Sequence, residues 1–163
     1  MLIAPHILVG AVIAASTPNP LLGLLFAFLS HFLLDRIPHW EYSIEPLKQI
    51  KTKGIKYCLP IIRRVALDAG LGFIVLILAL SVSKNNSSFA IYILGGFFGA
   101  LPDGLSFLMF LAKKNGFAAK ILNLFSVVHQ SVHFSKEKGL PPMRVGLSTQ
   151  AIAILLALYF IIF

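Results

Sequence analysis

Five apolar stretches, separated by polar or proline-rich segments, set the pattern of this chain. They cover residues 2–15, 21–35, 65–82, 89–112 and 145–163. A helix rises about 1.5 Å per residue, and the hydrocarbon core of a bilayer is about 30 Å thick. The last three stretches therefore predict spanning helices. The first two are short and predict a hairpin that either crosses a locally thinned bilayer or dips in from one side.

A different pattern occupies residues 116–135, where apolar side chains recur at helical spacing with Lys120, Asn123 and Gln130 between them. This pattern predicts an amphipathic helix at the membrane surface. The sequence as a whole thus predicts an all-α fold, an integral membrane bundle of about five hydrophobic helices, the first two short, plus this amphipathic helix. With 163 residues and no internal repeat, the chain suits a single membrane-embedded domain, 1–163.

Basic residues predict the orientation of this bundle. Seven of the 14 lysines and arginines lie in residues 36–64 and six lie in residues 113–144, whereas Lys84 stands alone in the turn between the third and fourth stretches. Positively charged loops stay in the cytoplasm. We therefore expect a protein of the cytoplasmic membrane with its N-terminus inside, its C-terminus outside and its amphipathic helix on the cytoplasmic face.

Composition agrees with a membrane location, since 58% of the residues are hydrophobic and only 12% are charged. Soluble domains carry about twice that charged share. The net charge is +8, and the basic residues lie between apolar stretches. The expected partners are therefore membrane lipids, including anionic phospholipids, and not nucleic acid. Cys58 is the single cysteine, so an intramolecular disulfide is excluded.

Ionisable side chains inside the apolar stretches point to function, because placing such groups in a membrane is costly. They are accompanied by three further histidines next to the stretches or on the amphipathic helix. The full set is His6, His31, Asp35, His39, Asp68, Asp103, His129 and His133. Every one falls towards the predicted cytoplasmic side although they come from five different elements. This common depth predicts that they form one site.

Two spacings indicate metal binding. His31 and Asp35 are four residues apart, as are His129 and His133, which places each pair about 5–6 Å apart at Cβ on one helix face. Such pairs can chelate one ion. Imidazole with carboxylate favours zinc, with manganese or iron as alternatives, and there are enough ligands for two divalent ions. The predicted core ligands are His31, Asp35, Asp103, His129 and His133, with His6, His39 and Asp68 as further ligands or supporting residues.

Structural interpretations stay open for the individual residues. His6 could have an interfacial or capping role, and His39 could be solvated. Asp35 could pair with Arg36, and Asp68 with Arg64. Asp103, which follows Pro102, could be the N-cap of a restarting helix.

Three segments carry a resemblance to a known family: residues 30–39, residues 101–103 and residues 129–135. They resemble the YdjM-like family of small bacterial membrane-bound proteins, which is similar to zinc-dependent phospholipase C and is described as metal-dependent hydrolases. By resemblance, His6 matches the family's early histidine, Asp103 the first aspartate of its Pro-Asp-x-Asp segment, and His129 and His133 its paired histidines. Leu105 stands where that segment has its second aspartate, and Gln130 and Val132 replace the arginine and threonine beside the histidines.

The predicted function is a membrane-embedded, metal-dependent hydrolase acting on a phosphoester or related bond of a lipid headgroup at the cytoplasmic face. Asp68 is predicted as the general base, or as a group that orients a ligand histidine. Two alternatives are a structural membrane protein whose helices are stapled by metal without catalysis, and an ion or proton transporter.

Overall fold

The computed structural model describes residues 1–85, 87–111, 117–133 and 141–163, and within these ranges every regular element is a helix. The helices are α1 (Ile3–Ser16), α2 (Pro20–Asp35), α3 (Glu45–Lys48), α4 (Ile50–Lys53), α5 (Ile55–Ser81), α6 (Phe89–Leu111), α7 (Phe117–Val132) and α8 (Met143–Ile162). Three of them, α5, α6 and α8, are long and apolar enough to cross a membrane. The all-α bundle with two short apolar helices and an amphipathic α7 is confirmed.

Two helices differ in extent from the sequence prediction. α5 begins at Ile55, ten residues before the predicted apolar stretch. Arg63 and Arg64 lower the hydropathy of this first part without breaking the helix, so the apolar pattern did not include it. α6 runs uninterrupted through the buried Pro102. The interpretation of Asp103 as the N-cap of a restarting helix is therefore wrong.

The short helix α1 lies at the centre of the bundle and packs against α2, α5, α6 and α8. Its Ile7, Leu8 and Ala11 are almost completely buried, and they share one apolar core with Leu76 of α5 and Ile161 of α8. In contrast, the outward faces of the long helices expose large apolar side chains, as expected of helices that face lipid. Examples are Leu67, Leu71, Leu78, Leu155 and Phe160.

Glycines bring α1 and α6 unusually close together. A Cβ added at Gly10 would lie 2.6 Å from the carbonyl oxygen of Gly95 and 2.9 Å from the Cα of Gly99. Gly95 and Gly99 are four residues apart on one face of α6, the spacing with which small residues let membrane helices approach backbone to backbone. This contact places the middle of α1 directly against the middle of α6.

One end of the bundle contains the α1–α2 turn, the α5–α6 connection and the end of α8. Ser87 Oγ, in the α5–α6 connection, donates to the carbonyl oxygen of Ala15 near the end of α1, and Lys84 N donates to the carbonyl oxygen of Ile162. The start of α1 and the end of α2 lie at the other end of the hairpin, about 20 Å away at 1.5 Å per residue. Both outer ends of the hairpin are therefore on the same side, as predicted.

Candidate metal centre

The buried carboxylate of Asp35, the last residue of α2, is the centre of the candidate site. Its Oδ2 lies 3.1 Å from Nε2 of His31, 3.2 Å from Nε2 of His129 and 2.9 Å from Nε2 of His133. Its Oδ1 lies 3.3 Å from Nε2 of His6 and 3.0 Å from the amino group of Met1. Four imidazoles from three helices and the residue after α7 thus converge on one carboxylate.

The far sides of two imidazoles are held by backbone carbonyls. Nδ1 of His31 lies 2.9 Å from the oxygen of Gly99, and Nδ1 of His39 lies 2.8 Å from the oxygen of Ile37. A carbonyl oxygen only accepts, so each Nδ1 carries a proton, and Nε2 is the ring nitrogen that could bind a metal ion. Metal-binding histidines are usually oriented in this way.

Ser106 holds a third imidazole from the side of α6. Its Oγ lies 2.8 Å from Nδ1 of His129, whose Nε2 faces Asp35. Nε2 of His129 is also only 2.9 Å from Nε2 of His31. Two ring nitrogens at this separation repel each other unless a proton or a cation lies between them, which is the electrostatic requirement that a metal ion meets.

Two of the buried histidines have nitrogen atoms without a hydrogen-bond partner among the described residues: both ring nitrogens of His6, and Nε2 of His39. His6 and His39 are fully buried. Leaving a buried polar atom unpaired costs about 1–3 kcal/mol. A cation coordinated by Nε2 would remove that cost, so these unpaired atoms fit a metal centre.

Three overlapping groups of residues have ligand atoms within 4.8 Å of one another. They are His6 with His31 and Asp103, His31 with Asp35 and His129, and Asp35 with His39 and His133. The first and third share no residue and offer three ligands each, so the arrangement has room for one ion or two. All seven predicted metal ligands are in these groups, so folding brings their side chains together in one place.

Two carboxylates lie at the more open edge of the cluster. Oδ1 of Asp103 is 3.7 Å from Nε2 of His31, and Oε2 of Glu41 is 3.5 Å from Nε2 of His39 and 3.6 Å from Nδ1 of His133. Both side chains are 29% exposed. Glu41 was not among the predicted residues, although its position two residues after His39 is a signal that could have identified it.

Asp68 lies beside the cluster and is absent from these ligand groups. Its carboxylate accepts hydrogen bonds from the backbone N–H groups of Ile3 (2.6 Å) and Ala4 (3.3 Å) and from the hydroxyl of Tyr42 (3.3 Å). Burial, together with the charge of Asp68, raises the pKa of Tyr42, so this hydroxyl stays protonated and keeps donating. Asp68 therefore fixes the start of α1, and with it His6, while its catalytic role stays a prediction.

Polar residues of α8 hold the segment that carries His39, and the sequence prediction missed them. Gln150 donates through Nε2 to the oxygen of Trp40 (2.9 Å) and accepts from the backbone N–H of Leu2 (2.9 Å). Thr149 Oγ1 donates to the oxygen of Pro38 (2.5 Å). Gln150 is only 2% exposed, and a glutamine at the start of a long apolar run, 151–163, was the available signal.

Comparison with known proteins identifies no relative: no family model, no curated protein and no solved structure matches this chain. The family resemblance in its short motifs thus stays a prediction.

Proposed function

We propose that this protein is a membrane-embedded hydrolase that uses one or two divalent metal ions, with zinc as the preferred ion. The observation that carries the proposal is the convergence of imidazole Nε2 atoms on the buried carboxylate of Asp35. Structural polar residues satisfy one another in pairs. Here, instead, four imidazoles share one carboxylate, and neither ring nitrogen of His6 makes a hydrogen bond among the described residues, although its Nε2 lies 3.3 Å from Oδ1 of Asp35.

A divalent ion bound there would activate water at neutral pH and neutralise charge on a phosphoryl oxygen. The chain's own residues have supporting roles in this proposal. Gly99, Ile37 and Ser106 orient three imidazoles, and Asp35 supplies negative charge to the whole cluster. Asp103 and Glu41 lie at the exposed edge, where a carboxylate can take a proton from water or orient a substrate. Asp68 supports the site through α1.

The proposed substrate is a phosphoester or related bond in a lipid headgroup. The site lies about 15–20 Å from the turn end of the bundle at 1.5 Å per residue. In this proposal the short hairpin thins the hydrocarbon core, which is otherwise about 30 Å thick, so that a headgroup of the other leaflet reaches the site. The basic residues of the two loop segments favour the cytoplasmic leaflet of the cell membrane, with the N-terminus inside and the C-terminus outside. Anionic phospholipid would be attracted to that face.

The test combines elemental analysis with a screen of phospholipids for headgroup release by the purified protein in nanodiscs. We expect stoichiometric metal, and loss of both metal and turnover in His31→Ala and His129→Ala. All five histidines lie in the cluster, so the matched controls are neighbouring serines on the same helices. Among the described residues, Ser30 and Ser131 donate to carbonyl oxygens of their own helices, and their alanine variants should keep metal and turnover.

Other outcomes would favour the two alternatives. Metal whose removal unfolds the protein, with no lipid turned over, would identify a structural staple. Flux of a divalent ion or protons in proteoliposomes would identify a transporter. Absence of stoichiometric metal, with both histidine variants unchanged in stability, would contradict metal binding altogether.

A further inference from the structure

A cavity of about 520 Å³ opens beside the histidine cluster. The cluster forms one part of its lining, through Asp103, His129 and His133, with Glu41 and Ser106 next to them. Among the described residues, this cavity thus joins the exposed edge of the candidate metal centre to a larger volume. Its size is within the range of about 300–1,000 Å³ that is usual for small-molecule sites.

The remaining walls of this cavity are largely apolar and come from four different helices. Their apolar part is formed by Ile3 of α1, Leu47 of α3, Val65 of α5, and Phe107 and Phe110 of α6, while Glu45 and Lys48 of α3 add an ion pair to the lining. Leu47 is 3% exposed and anchors α3 in a small core with Cys58 and Ile61. The cavity thus has the chemistry that suits an amphiphile: carboxylate and imidazole groups at the cluster, and mostly aliphatic and aromatic groups along the other walls.

We propose that this cavity holds one hydrocarbon chain of the substrate, with its anionic head beside the metal ion that the histidine cluster and Asp103 would hold. This inference rests on the proposed function and adds the substrate class: an amphiphile whose chain is bound inside the protein rather than left in the bilayer. A headgroup alone would leave the apolar walls facing water. A hydrocarbon chain covers them and gains about 0.8 kcal/mol for each buried CH₂ group.

Photocrosslinking tests this placement without requiring turnover. The probe is hexadecyl phosphate with a diazirine at the end of its chain, added with zinc to the protein in phosphatidylcholine nanodiscs. We expect labelling, assigned to single residues by fragment mass spectra, at Leu47, Phe107 or Phe110, and competition by unlabelled hexadecyl phosphate but not by inorganic phosphate alone. Labelling confined to outward side chains such as Leu108 and Leu111 would overturn the proposal.

A matched pair of variants on α6 sharpens the test. Phe107→Trp enlarges a cavity wall and should reduce labelling at Leu47 and Phe110 by at least several-fold. Leu108→Trp adds similar bulk at a neighbouring position that is 49% exposed, and it should leave labelling unchanged. Equal labelling in both variants would contradict a chain in the cavity. If Phe107→Trp does not fold, the labelled positions of the unsubstituted protein decide the matter.

The two proposals can fail separately. Stoichiometric metal and headgroup release without labelling of the cavity walls would leave the hydrolase in place and remove the chain site. Labelling of the cavity walls in a protein without metal would keep an amphiphile site and remove the hydrolase.

Discussion

His31 donates a hydrogen bond from Nδ1 to the carbonyl oxygen of Gly99, 2.9 Å away, where α6 passes directly against α1. A Cβ on Gly99 would collide with the carbonyl oxygen of His6. One residue of α6 therefore sets both the orientation of an imidazole on α2 and the distance to an imidazole on α1. The close approach of these helices is thus part of the candidate metal centre as well as of the fold.

Gly99→Ala should separate α1 from α6 and disturb both imidazoles. Overpacking of this kind typically costs about 1–3 kcal/mol, so we expect a lower unfolding temperature together with weaker zinc binding, measured in nanodiscs. Gly104→Ala is the matched control on the same helix, because a Cβ there meets no atom within 4 Å. It should be neutral or slightly stabilising, since alanine favours a helix by about 1 kcal/mol over glycine. Equal effects of the two variants would contradict this account.

Asp35→Asn should weaken metal binding more than any other single conservative change. The carboxylate lies within 3.3 Å of four imidazole nitrogens, and an amide of the same shape offers no negative charge and only one acceptor atom. We expect a loss of zinc affinity larger than the 10–100-fold typical of changes to the outer hydrogen-bond partners of metal ligands, measured by competition with a chelator.

Glu45→Gln provides the control for Asp35→Asn, because it makes the same acid-to-amide change at an exposed residue paired with Lys48. Zinc affinity should be unchanged in Glu45→Gln. An Asp35→Asn protein that still holds stoichiometric zinc would place the ion elsewhere.

Ser106→Ala tests whether the hydroxyl acts by orienting His129. Without Oγ, Nδ1 of His129 loses its partner at 2.8 Å, and zinc affinity should fall by about 10–100-fold. Ser106→Thr keeps the hydroxyl and should restore most of that affinity. Ser131→Ala on α7 removes only a bond to the backbone of its own helix and should have no effect. Unchanged zinc affinity in Ser106→Ala would remove Ser106 from the support of the metal centre.

The convergence of the site residues was predictable, because ionisable side chains in apolar stretches are rare and basic loops indicate which ends of the helices lie together. Sequence position could identify His31 and Asp35 as a pair on one helix face. It could not reveal that Gly99 lies behind His31, because that contact depends on how closely two helices approach. Glycines that shorten this distance look like any other glycines in an apolar helix.

The supporting residues were harder to predict for a related reason. Glu41 lies in a connecting segment whose path is set by contacts with α8, and Ser106 resembles any serine in a helix. Asp68 was predictable as an acid within an apolar stretch, but its partners, the N–H groups of Ile3 and Ala4, depend on where α1 begins in space. Chemistry carried by side-chain type was therefore evident in the sequence, whereas chemistry created by helix contacts was not.

Gln150→Leu should weaken the site from a helix that contributes no metal ligand. Gln150 joins the backbone N–H of Leu2 to the oxygen of Trp40, so it holds the start of α1 and the segment next to His39 in one place. Leucine has a similar size but no polar atoms. It would leave these two backbone groups unpaired, at a cost of about 1–3 kcal/mol for each group that stays buried.

We therefore expect a lower unfolding temperature for Gln150→Leu in nanodiscs, together with a loss of zinc affinity. Gln150→Glu keeps an acceptor for Leu2 but loses the donor to Trp40, and it should show an intermediate loss. Ser148→Ala removes only a bond to the oxygen of Arg144 within α8 and serves as the control. A Gln150→Leu protein that is less stable but binds zinc with unchanged affinity would contradict this account. It would show that the bond from Gln150 to the oxygen of Trp40 stabilises the bundle but is not needed to position His39.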